Sequence, residues 1–223
     1  MKWFFALFAA LALLAGLAGC SHLQPPQEHP YHEHTPSADH MQRAQRAYEA
    51  GMFETALMQY REAARWADKF AQYNVGVMHL RAQGTEFDPV RGWAWLELSA
   101  ERGYPDFVQA ADDLHAMLDE DQRRRARKIF EDELLPRYGD DARLPRVARE
   151  MRRELHDATG SRTGSQGFLA MLTIYDGDGV SRRGTEYYAP EKWDIEQVIA
   201  FERNLMFRRG NVEIGELELI DEE

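Results

Sequence analysis

Small residues, aromatics and glycines return at matching places along residues 41–103, and few folds accept such a pattern. From Met41 the periodicity is helical, with Ala44, Ala47 and Tyr48 leading through Gly51 and Phe53 to Ala56, Leu57, Tyr60, Ala63 and Ala64. Small residues at the contact positions let two antiparallel helices approach closely, aromatics fill the space between them, and Gly51 supplies the turn. A second unit follows. Ala71, Tyr73, Gly76, Leu80 and Gly84 mark one helix and its stop, and Asp88-Pro89 offers an N-cap and a proline for the first helical position of the next. That next helix runs through Trp93, Trp95 and Leu96 to Ser99-Ala100-Glu101-Arg102-Gly103. Aligning Ala63-Ala64 with Ser99-Ala100 sets a step of 36 residues and puts Tyr60 on Leu96, beside Trp95. Steps of this size belong to two-helix repeats, whose units bury their apolar faces against one another.

Residues 51–64 resemble the tetratricopeptide signature. The stretch AQYNVGVMHLRAQGTEFDPVRGWAWLELSAERGYPD resembles a Sel-one-like repeat, a subfamily with the pattern A-x-Y-x-L-G-x-x-Y-x-x-G-x-G, D-x-x-K-A, W, A-A-x-x-G. Four positions depart from it: Val75 stands for Leu, His79 for Tyr, Ala82 for the first loop glycine and Gly92 for Ala. Gly92 is expected to weaken its helix by about 1 kcal/mol relative to alanine. One clear repeat therefore spans 71–103 and a looser unit spans 42–66. A degenerate cap over 105–118 has His115 in place of a packing glycine and no clear second helix. The aromatics Tyr48, Phe53, Tyr60, Tyr73, Trp93 and Trp95 are expected chiefly as core packing. The resemblance implies stacked hairpins whose concave face holds a protein or peptide segment, with His79 as the ambiguous member.

The N-terminus carries a second resemblance. Lys2 is the one charge in residues 1–19, and an apolar and small-residue run extends from Trp3 to Gly19. This is the layout of a secretory signal. Leu17-Ala18-Gly19-Cys20 resembles the lipobox of bacterial lipoproteins, and Cys20 is the sole cysteine of the chain. The resemblance implies acylation of Cys20 and cleavage before it. Ser21, rather than aspartate, implies sorting to the outer membrane, with the protein facing the periplasm. Loss of residues 1–19 removes Lys2 and no acid, so the charge of −11 becomes −12.

Residues 20–40 read as a flexible tether, since residues 21–40 contain four prolines, five histidines and few aliphatic side chains. His29, His32 and His34 beside Glu28 and Glu33 form a ligand set acceptable to zinc or copper, which makes a metal-binding envelope lipoprotein the alternative function. Residues 41–118 are the repeat domain. Residues 119–158 hold basic residues such as Arg123-Arg124-Arg125, Arg127, Lys128, Arg152 and Arg153 interleaved with acids. They are expected as two amphipathic helices broken around Pro136–Gly139. The charge pattern is that of a solvated face laced with ion pairs, or of a basic stripe against lipid headgroups. Residues 159–223 read as a small α+β unit: a strand within Phe168–Tyr175, a turn at Asp176–Gly179, a helix over Asp194–Phe207 and a strand over Val212–Ile220.

The expected fold is thus mainly α: a short α-α helical repeat array, then charged helices, then the small α+β C-terminal unit. The acidic balance of 38 acids against 27 bases argues against a nucleic-acid partner. The chain has no Gly-x-Ser-x-Gly elbow, phosphate loop, dinucleotide fingerprint or His-Glu-x-x-His, so no enzyme and no cofactor is expected. The best catalytic pairing, His156 with Asp157 or Glu154, reads as ordinary helix surface. The expected function is a membrane-anchored cell-envelope lipoprotein. It would act as a non-enzymatic protein- or peptide-binding scaffold, attached to the membrane by acyl chains at Cys20.

Overall fold

The computed structural model describes residues 34–159, 169–175 and 181–208. The lipobox with Cys20, His29, His32, the turn expected at Asp176–Gly179 and the strand expected over Val212–Ile220 lie outside the described residues.

The chain is mainly helical, with a two-stranded sheet near its C-terminal end. Helices α1 (Ala38–Glu49) and α2 (Phe53–Ala64) form one hairpin, and α3 (Lys69–Leu80) and α4 (Pro89–Ser99) form the next. Helix α5 (Pro105–Met117) packs on α4. The start of α2 at Phe53 and of α4 at Pro89, and likewise of α3 at Lys69 and of α5 at Pro105, are steps of 36 residues. The caps work as their chemistry dictates. Asp68 accepts from the Ala71 amide at 2.9 Å, Asp88 accepts from the Arg91 amide at 2.9 Å, and prolines open α4 and α5 where no amide proton is needed.

The third unit is more complete than its sequence indicates. Helix α6 (Glu120–Lys128) begins with a capping box, in which the Asp119 side chain accepts from the Gln122 amide and the Gln122 side chain accepts from the Asp119 amide. It continues through a π-helical segment (Ile129–Leu134) into α7 (Leu135–Tyr138) and packs back on α4. Only Ala126 of α6 is buried, so the helix shows no apolar stripe in sequence; its grip comes later, from Leu134 and Tyr138. Pro136 lacks an amide proton and its ring crowds a preceding carbonyl, and the wider π turn ahead of it absorbs that misfit.

One apolar cluster runs from Met41 through the hairpins to Leu134 and Tyr138, and it also takes in Met206 from the C-terminal helix. Tyr60, Tyr73, Trp93 and Trp95 are buried in it, and Tyr48 and Phe53 pack against its edge. The Tyr73 and Phe107 rings stack at 4.9 Å, and the Trp93 indole N–H donates to the Ala111 carbonyl at 3.1 Å. Helices α3 and α4 meet through Gly76 and Gly92. A Cβ on Gly76 would lie 3.0 Å from the Gly92 carbonyl oxygen, and one on Gly92 would lie 2.8 Å from Leu80 Cδ2. Gly92 is therefore a close-contact position rather than a simple loss of helix propensity. Gly84, at φ +68°, brings the α3–α4 loop so near α2 that a Cβ there would lie 2.5 Å from the Phe53 carbonyl oxygen.

Beyond Gly139, helix α8 (Asp140–Thr159) is followed by a 3-10 turn (Leu169–Met171) and strand β1 (Thr173–Tyr175). Strand β2 (Ser181–Arg183) and the short helix α9 (Gly184–Tyr187) come next, then a second 3-10 turn (Pro190–Trp193) and helix α10 (Ile195–Arg208). The strands pair antiparallel, Thr173 opposite Arg183 and Tyr175 opposite Ser181. The strand expected within Phe168–Tyr175 is thus short and preceded by a helical turn, whereas the helix expected over Asp194–Phe207 matches α10 closely. A second core of Val147, Met151, Trp193, Ile195 and Val198 joins α8 to the C-terminal segment, with Trp66 of the turn between α2 and α3 packed on it. Arg146 sits over the Trp66 ring at 4.5 Å. Among the described residues, no helix is long and apolar enough to cross a membrane.

Candidate functional site

At the loop end of the second hairpin lies a pocket of about 410 Å³, lined by Arg61, His79, Thr85, Glu86, Phe87, Asp88 and Arg91. Arg61 comes from α2, His79 from the last turn of α3 and Arg91 from the first turn of α4, and the loop between α3 and α4 closes the side. Gly84 holds that loop against α2.

The protonation state of His79 follows from its surroundings. Arginine has no acceptor, so the 3.3 Å contact between Arg61 Nη2 and His79 Nε2 has the guanidinium donating. Burial, and then the positive Arg61, lower the His79 pKa to about 4, so the ring is neutral near pH 7. Its proton therefore sits on Nδ1, which is buried and has no hydrogen-bond partner. An unmet buried donor costs about 1–3 kcal/mol.

Arg61 is the other unfinished group. It is partly buried, and among the described residues no carboxylate lies within ion-pair distance of it. Burial pushes its pKa below the ordinary arginine value, Tyr138 opposes that, and Arg91 adds to it. Arg91 is loosely held, 3.8 Å from Asp88 and 3.5 Å from Glu133. Asp88 is already engaged in capping α4, Glu86 is exposed on the rim, and the Phe87 ring beside it is 49 % exposed. Two guanidiniums, a neutral imidazole and an exposed aromatic edge are chemistry for holding an anionic group.

A second polar cluster is fully satisfied. Lys69, completely buried, donates to Glu101 at 2.6 Å, Gln72 at 3.1 Å and the Leu98 carbonyl at 3.2 Å, and lies 3.0 Å from Asp140. Arg102 forks onto Asp140 at 2.8 and 3.1 Å and reaches Glu202 at 2.7 Å and the Ala67 carbonyl at 2.9 Å. The Tyr104 hydroxyl donates to Glu202 at 2.7 Å, and Glu101 accepts from the Asp140 amide that opens α8. Burial lowers the Lys69 pKa and Arg102 adds to this, while Asp140 and Glu101 oppose it. Burial alone would raise Asp140, yet Arg102 and Lys69 hold it below the usual carboxylate range. This cluster fastens α8 and α10 to the hairpins. Sequence reasoning missed it because its members are far apart along the chain and none forms a recognisable motif.

The other residues singled out from sequence scatter. His34 does not belong to a flexible tether: it is 3 % exposed, with its ring 4.6 Å from Tyr187 and 5.1 Å from Trp193, and Ala38–His40 already form α1. No group of three or more His, Cys, Asp or Glu able to hold a metal ion occurs among the described residues. His156 lies 3.3 Å from Asp157 on an exposed helix face. The basic run is laced with local pairs: Arg124 with Asp121, Arg127 with Glu131 at 4.0 Å and Arg153 with Asp157 at 3.7 Å. Arg123 instead donates to the Ala116 and His115 carbonyls at the end of α5. His79, the departure from tyrosine and the ambiguous member of the repeat, lines the pocket, and nothing in the sequence pattern links it to Arg61 and Arg91. Comparison with protein-family models, with curated proteins and with solved structures finds no match.

Proposed function

We propose that this chain is a cell-envelope lipoprotein, anchored through acyl chains at Cys20, whose short array of Sel-one-like hairpins is a non-enzymatic scaffold for a protein or peptide partner. The observation that carries the binding part is the pocket of Arg61, His79 and Arg91, where charged and polar groups are left incomplete within a well-packed helical frame. Stacked hairpins present rigid surfaces, and the exposed Phe87 rim adds apolar contact area of the kind that anchors peptides. The anchoring part rests on Leu17–Cys20. A single lipid chain holds a protein only marginally, and several chains together hold it firmly.

The test is metabolic labelling with a fatty-acid analogue, wild type beside Cys20→Ala, followed by membrane fractionation and crosslinking. The expected result is label that requires Cys20, recovery with the outer membrane, and a crosslinked polypeptide partner. Unlabelled, freely periplasmic wild type overturns the anchoring part, and absence of any crosslinked partner overturns the scaffold part.

A further inference from the structure

We infer that the pocket at the α3–α4 loop is a receptor for a single peptide carboxylate, gripped by Arg61 and Arg91 with the adjoining side chain of the peptide against Phe87. The inference rests on the scaffold reading and names the ligand chemistry. Three observations lead to it. Arg61 is a partly buried cation whose one hydrogen-bond partner among the described residues is a neutral ring, so among those residues its remaining donors lack the anion that a guanidinium in such a place ordinarily meets. Arg91 stands close enough to disfavour the charged form of Arg61, and an oxyanion between the two would turn that repulsion into shared attraction. The buried Nδ1 donor of His79 is unmet, so the polar complement of this corner is incomplete.

The acids on the same pocket set the limit on charge. Asp88, which accepts from the Arg91 amide with its other oxygen 3.8 Å from Arg91 Nε, and Glu86, which is exposed on the rim, both keep negative charge on the wall. A second negative charge on the ligand would face Glu86, so a lone carboxylate flanked by neutral residues fits better than a polyacidic run or a doubly charged phosphate. The volume of about 410 Å³ suits one or two residues rather than a long segment.

The experiment titrates detergent-solubilised full-length protein, followed by backbone amide shifts at residues 79–91. The probes are an acetylated hexapeptide ending Phe-Ala with a free carboxylate, its C-terminally amidated twin, the amidated twin with one internal aspartate, and inorganic phosphate. The free acid or the internal aspartate peptide is expected to bind at least tenfold more tightly than the amidated twin and more tightly than phosphate, and the two arms tell a terminal from a side-chain carboxylate. Arg61→Met should abolish that preference, Arg61→Lys should restore part of it, and Arg124→Met should leave it intact. Equal binding of all peptides, unchanged in Arg61→Met, overturns the carboxylate inference while leaving the scaffold reading standing. Phosphate binding as tightly as the free acid also overturns it. Binding of no peptide at all removes both. Unchanged helical circular dichroism in Arg61→Met separates loss of the site from loss of the fold.

Discussion

Arg102→Met removes the centre of the clasp between the hairpins and the C-terminal helix. The guanidinium makes four contacts of 2.7–3.1 Å, to Asp140, Glu202 and the Ala67 carbonyl, and its side chain is 7 % exposed. Removing one partner of a buried pair costs about 3–5 kcal/mol, because the surviving charge stays buried without compensation. Asp140 keeps Lys69 and Glu202 keeps the Tyr104 hydroxyl, so the lower end, about 3 kcal/mol, applies. For a chain of this size that lowers Tm by roughly 6–12 °C. The assay is thermal unfolding followed by circular dichroism, beside Arg124→Met, whose side chain is 69 % exposed and whose loss should change Tm little. Limited proteolysis of Arg102→Met should also cut first within 195–208, since Glu202 is what the clasp holds there. A Tm fall no larger than that of Arg124→Met would refute the reasoning.

Two further outcomes follow from backbone strain and from buried histidines. Ala82 has φ 51°, where a Cβ costs about 1–2 kcal/mol, so Ala82→Gly should stabilise by about 0.5–1 kcal/mol after the glycine entropy is set against it. Gly84→Ala, with its clash on the Phe53 carbonyl, should destabilise by more than about 2 kcal/mol, and urea midpoints in the reverse order would contradict this. His34 and His79 each have a pKa lowered to about 4, chiefly by burial, from an ordinary 6.5. The unfolded chain therefore binds their protons first. Their stabilisation is complete above about pH 6.5 and is lost as pH falls toward 4, by about 2 kcal/mol for each ring once solvent screening is allowed for. Urea midpoints between pH 7 and pH 4.5 should fall accordingly and fall less steeply in His79→Gln; a profile identical to wild type in that variant would contradict the assignment.

Local rules made the hairpins legible. Asp88-Pro89 announces α4 because cap and proline chemistry act within a few residues, whereas α3 ends at Leu80 and turns at Ala82 (φ 51°), ahead of Gly84, whose own left-handed φ serves the close approach of the loop to α2. Helix α6 is illegible because eight of its nine residues are polar or charged and it buries only Ala126, so its place is set by tertiary contacts made further along, at Leu134 and Tyr138. Propensity alone makes Gly92 a weakness because it ignores what faces the residue, here Leu80 and Gly76. Lys69, Asp140 and Glu202 lie on separate helices, and Arg61 meets His79 only because α2 packs beside α3. Pairings of that kind leave no local pattern in one sequence. Composition places His34 in a tether, whereas the Tyr187 and Trp193 rings that pack on it come from the far end of the chain.

The most direct test of the scaffold claim is photocrosslinking in the native envelope with Cys20 intact. A benzoylphenylalanine replaces Phe87 on the pocket rim in one strain and Met117, equally exposed but outside the pocket, in another. The scaffold account predicts a discrete polypeptide adduct at position 87 that disappears when Arg61→Met is added and is absent at position 117. No adduct at position 87, or the same adduct at both positions, would contradict it.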